Sequence, residues 1–181
     1  MVRQIDFEKA KLNGFAGIIV LSVLLALCIG LSIFLFHNPY KDLQQAVFAT
    51  AERIRNYYRD TPGYWKLSTQ SAKQDNLLRD DLLKYKDYDI QAGQGINGEQ
   101  GFPSDMSFDI TVKNLNKSAC VSLIEMPLKE QASLTLLKIT IITAQAETEF
   151  SWGGQNSLPV AKYSARNFCQ AKDNIISWTF Q

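Results

Sequence analysis

Apolar residues fill one stretch of this chain almost without interruption and then thin into periodic patterns. From Phe15 to Phe36 no residue is charged. A helix rising about 1.5 Å per residue over that length spans a hydrocarbon core of ~30 Å. A cleaved secretory signal is a poorer reading, because its apolar region is usually about 7–15 residues and ends at a small-x-small site. Here the run ends in Leu35-Phe36-His37-Asn38-Pro39. A buried core helix is the other alternative, but one apolar on every side at this length is rare. Arg3, Lys9 and Lys11 precede the span and only Lys41 closely follows it. The positive-inside tendency therefore puts the N-terminal end in the cytoplasm and residues from about 38 onward across the membrane.

Beyond Pro39 the pattern becomes amphipathic. Leu43, Val47, Ala51, Ile54 and Tyr58 recur at three- and four-residue steps, predicting a helix over 40–60. Lys41, Gln44, Gln45, Glu52, Arg53, Arg55 and Arg59 are assigned to its other surface. Thr61-Pro62-Gly63 should end it, and Pro39 is a candidate kink between it and the apolar run. Ser71 followed by Leu77, Leu78, Leu82 and Leu83 suggests a short surface helix, and the glycine-rich 91–105 reads as a long loop and the first candidate for a contact loop.

Alternation in Phe108, Ile110 and Val112 marks a half-buried strand. Residues 115–126 suggest a short helix with Ala119, Leu123 and Met126 on one side, and the β-branched 133–144 predicts one or two strands. A turn at 153–156 and a short helix near 159–168 precede 174–180, where Ile176, Trp178 and Phe180 alternate with Ser177 and Thr179. The expected class is α+β: a long N-terminal helix on an antiparallel sheet.

Composition adds limits. Lys+Arg is 19 and Asp+Glu 18 in 181 residues, so no charge excess points to nucleic acid or acidic lipid. Cys28 lies within the apolar run, whereas Cys120 and Cys169 both follow it, a matched pair for an oxidising compartment. The alternative is two buried thiols. Catalysis has no visible carrier. His37, the one histidine, falls at the expected membrane boundary, and no zinc-protease, nucleophile-elbow or phosphate-loop motif occurs. Asp80, Asp81, Glu147 and Glu149 fit a solvated face, and no metal or cofactor is expected. The run 52-ERIRNYYR-59 mixes cations with aromatics as nucleic-acid binders do, although helical spacing explains it more simply, and no nucleic-acid contact is established. Asn116-Lys117-Ser118 matches a glycosylation acceptor, a motif frequent by chance.

A charged leader, Gly14 at a possible cleavage point, an apolar helix that turns amphipathic, a variable middle and a C-terminal cysteine pair together resemble the type IV pilin family. Within it, Phe108–Val112 leading into 115-LNKSACVSLI-124, and Cys169 followed by 173-DNIISWTF-180, are similar to the type IVb branch. The resemblance implies a leader at 1–14, a membrane helix and filament core at 15–37, and a globular pilin domain at 38–181. That domain divides into the helix at 40–60, a variable loop at 61–106, and a sheet and disulfide region at 107–181. It implies partners as well: a prepilin peptidase cutting between Gly14 and Phe15, other pilin subunits, an assembly platform with its ATPase, and the inner membrane. The product is an extracellular filament for adhesion, aggregation or DNA transfer. The family generally carries a glutamate five residues into the mature chain, where this sequence has Ile19. An unpaired carboxylate in hydrocarbon is costly, and a subunit with no neighbour ahead of it loses nothing by dropping it. The expectation is therefore a minor or initiating subunit. The alternatives are a pilin-like protein whose leader stays uncut, a type II secretion pseudopilin, and a single-pass inner-membrane protein with a periplasmic ligand-binding or sensor domain.

Overall fold

Apolar side chains three and four positions apart give the first long element after Asn38. In the computed structural model, which describes residues 19–28, 39–95, 106–125 and 136–181, helix α1 runs Pro39–Tyr57. Its predicted stripe is buried: Leu43, Val47, Ala51 and Ile54 are fully enclosed, and Tyr58 nearly so. Fully burying an aliphatic side chain is worth about 1.5–3 kcal/mol, so this stripe holds the helix in place. Two residues assigned to the polar surface belong elsewhere. Gln44 is buried and its Nε2 donates to Leu123 O at 3.2 Å. Arg53 reaches back to Thr50 Oγ1 at 2.7 Å and across to Leu77 O at 3.1 Å. Each is drawn in by a carbonyl that local spacing does not reveal.

The chain divides into two units, Met1–Asn38 and Pro39–Gln181. In the first, residues 19–28 are helical. The second is α+β. After α1 come α2 (Thr69–Gln74), α3 (Asp80–Leu83), β1 (Asp89–Gln94), β2 (Phe108–Leu115), α4 (Lys117–Ile124), β3 (Leu136–Ile142), β4 (Glu147–Ser151), α5 (Lys162–Phe168) and β5 (Asn174–Phe180). The five strands form one sheet in the order β1-β2-β5-β3-β4, and every pairing is antiparallel.

β5, the latest strand in chain order, sits at the centre. One row of side chains crosses the whole sheet on the core face: Ala92, Ile110, Trp178, Ile139 and Phe150. Rings then link the sheet to α1, with Phe48 edge-on to Phe180 at 5.6 Å and Phe180 stacked on Phe108 at 5.4 Å. The opposite face is hydroxylated and charged. Thr111 and Ser177 share a hydrogen bond of 2.9 Å, Thr179 Oγ1 donates to Asp109 Oδ1 at 2.6 Å, and the buried Lys138 pairs with Glu149 at 2.9 Å.

Two differences from the sequence-based expectation stand out. Ser68 and Ser71 form a reciprocal capping box at the start of α2, so the expected surface helix becomes two short ones, and Leu77, Leu78 and Leu82 turn inward. Residues 91–94, expected in a loop, belong to β1, while 96–105 lie outside the described residues. The strand content expected in 133–144 is the single β3, whose hairpin partner β4 carries the two carboxylates assigned to a solvated face. The turn after β4 falls where it was expected, and Gly153 there takes φ +76, which a residue without Cβ adopts at no steric cost.

Candidate functional site

The N-terminal unit contains most of the residues singled out for processing. Gly14, Phe15 and His37 lie outside the described residues. Ile19 opens the described helical stretch and is 49% exposed, with Leu21, Leu25 and Leu27 still more open. Ser22 Oγ donates to Ile19 O at 2.8 Å, so its hydroxyl is satisfied by the helix's own backbone and adds no polar group to this apolar surface. Contiguous exposed apolar surface of this kind marks contact with something apolar. Among the described residues no helix is long and apolar enough to cross a membrane; the described part of the apolar run is residues 19–28. Cys28 closes that stretch and is exposed.

Cys120 and Cys169 form the disulfide, with Cα atoms 5.9 Å apart. It ties α4 to the residue that caps α5. Asn116 fixes the near side: it is the N-cap of α4, accepting from Ala119 N–H at 2.9 Å, and that local role accounts for the residue in the glycosylation-like motif. Asn174 fixes the far side and gave no signal in the sequence. It is fully buried, donates to Leu115 O at 2.8 Å and Gln170 O at 2.9 Å, and accepts from Gln170 N–H at 2.7 Å. The β2–β5 register shifts just before the Leu115–Asn174 pair, and Asn114 and Asp173 take positive φ beside it. Asn and Asp tolerate that region better than other non-glycine residues.

Around α1 the mixed run 52–59 is sorted by helix face. Ile54 and Tyr58 enter the core. Arg53 turns to Thr50 and Leu77, and Tyr57 lies beside Asp75, whose carboxylate raises the tyrosine pKa by its charge first and its hydrogen bond second. Glu52, Arg55 and Asn56 share the remaining face and, with Arg59 in the turn after α1, line an open groove of about 510 Å³, which Tyr64 and Met106 also border.

Tyr64 is held by rings on both sides, Phe108 at 4.6 Å and Tyr58 at 5.5 Å. Its burial pushes its pKa above the ordinary 10.0, against a smaller opposing pull from Arg55. Arg59 Nη2 donates to Asn56 Oδ1 at 2.6 Å. Of the four carboxylates noted in the sequence, Asp80 and Asp81 open α3, Glu147 is exposed on β4, and Glu149 neutralises Lys138. Among the described residues no group of three His, Cys, Asp or Glu side chains is placed to hold a metal ion.

No family model matches this chain, and no curated protein matches it.

Proposed function

We propose that this chain is a structural subunit of a type IV pilus of the type IVb kind, acting in a minor or initiating role. One observation carries the reading. An apolar run is followed at once by α1, which buries its own stripe in a sheet whose central strand comes late in the chain and whose flanking helices are joined by Cys120–Cys169. That sequence of parts makes one surface serve two environments, lipid before assembly and neighbouring helices after it.

In this account the leader 1–14 is removed by a prepilin peptidase on the cytoplasmic side, freeing the amine of Phe15. Residues 15–37 hold the subunit in the inner membrane, with the domain from residue 38 onward in the periplasm. A platform and its ATPase then draw it into the filament, where the domain faces outward. Ile19 takes the position that in the family carries a register-setting glutamate, so the subunit fits a place with no neighbour ahead of it.

The test is N-terminal sequencing of the protein from membranes with and without a co-expressed prepilin peptidase. The expected result is a mature chain starting at Phe15 only when the peptidase is present. Persistence of Met1 in both samples removes the filament reading and leaves the single-pass inner-membrane protein with a periplasmic binding domain.

A further inference from the structure

We propose that the groove at the end of α1 binds a sugar acid, a uronate-type saccharide whose carboxylate is taken by Arg55 and Arg59. The groove encloses about 510 Å³, within the about 300–1,000 Å³ typical of small-molecule sites. Glu52, Arg55 and Asn56 lie three and four residues apart on one face of α1, and Arg59, in the turn after Tyr57, lines the same space. A guanidinium is a planar fork matched to a carboxylate. Arg55 makes no ion pair or hydrogen bond among the described residues, so its fork is available to a ligand.

The other lining groups narrow the ligand. Glu52 is acidic and repels a ligand that is anionic throughout, such as phosphate, yet it accepts hydrogen bonds from hydroxyls. Asn56 Oδ1 accepts from Arg59 Nη2, which leaves the Asn56 amide N–H groups to donate to ring hydroxyls. Tyr64 and Met106 supply an apolar border for the C–H side of such a ring, and the rings of Phe108 and Tyr58 fix Tyr64 in advance. One carboxylate, several hydroxyls and one apolar side describe a uronic acid better than a mineral anion or a neutral sugar. The inference does not depend on filament assembly, because every residue in it belongs to one copy of the chain.

The test is a ligand-observed NMR titration of the full chain in detergent micelles with D-galacturonate, D-galactose and inorganic phosphate, each added separately. Saturable galacturonate binding is expected, with galactose and phosphate weaker by about tenfold or more. Arg55→Ala and Arg59→Ala should each weaken galacturonate by about tenfold, while Lys172→Ala, a change at a solvated surface lysine, leaves it unchanged. Both arginines are exposed, so the variants should keep the wild-type thermal unfolding curve. The proposal is overturned by absence of saturable galacturonate binding, by phosphate binding as tightly as galacturonate, or by unchanged affinity in both arginine variants.

Discussion

Removing the Cys120–Cys169 bond should be the most damaging small change to this domain outside its aromatic core. The bond closes a separation of 49 residues that contains β3, β4 and α5. On the chain-entropy account, a loop of that size removes about 14 cal/mol/K from the unfolded ensemble, or about 4 kcal/mol at room temperature. Domains of this size are stable by only about 5–15 kcal/mol, so this one bond supplies a large share of the margin. Both cysteines are buried, and two small cavities in a Cys120→Ala/Cys169→Ala variant add to the loss. Urea unfolding followed by tryptophan fluorescence provides the measure, since Trp178 is fully enclosed when folded and exposed when not. The midpoint should fall by an amount equivalent to about 4 kcal/mol, and reduced wild type should move most of the way to the variant. A loss below about 1 kcal/mol, or a reduced wild type as stable as the oxidised form, would refute loop closure as the source of stability.

Other consequences can be checked in the same unfolding experiment. Trp178 Nε1 is buried and has no hydrogen-bond partner among the described residues. Trp178→Phe should therefore cost far less than Trp178→Ala, expected at about 3–5 kcal/mol, and equal losses would argue against this account. Lys138 is buried against the half-exposed Glu149, so Glu149→Ala, which strands the ammonium, should destabilise more than Lys138→Met, which removes the charge altogether; the reverse order would contradict it. Burial raises the Tyr64 pKa above 10.0, so the folded state keeps a proton that the unfolded state gives up. Stability from this group is intact below that pH and is lost as pH rises through the folded value. Unfolding midpoints measured across alkaline pH should fall less steeply in Tyr64→Phe than in wild type, and identical slopes would dismiss the effect.

What the sequence could disclose depended on whether a signal was local. The α1 stripe and the alternation in β2 and β5 are periodicities that one short window contains, and all three elements appear where they were expected. β1 was hidden because Asp89–Gln94 offers only Ile90 and Ala92 as apolar residues and includes a glycine; its partner β2 makes it a strand. β4 was hidden for a similar reason, since Glu-Thr-Glu-Phe-Ser has one apolar side chain, and its edge position leaves the remainder in solvent. The site was less legible than the fold. The cysteine pair could be counted, but the roles of Gln44, Asn174 and Lys138 come from partners tens of residues away or on a neighbouring strand. The groove was visible only as a mixed run whose residues the helix later divided among three faces.

The place of β5 sets an order of events. Among the described strands it alone touches both halves of the sheet, joining β2 on one side to β3 on the other. Until residues 174–180 have emerged, β1–β2 and β3–β4 are two separate ribbons, each with an apolar face and an open inner edge. Two-stranded ribbons alone are marginal in water. The domain therefore cannot complete its fold before residues 174–180 are available to join the two ribbons. Truncation before Asn174 should yield an aggregating fragment rather than a smaller domain.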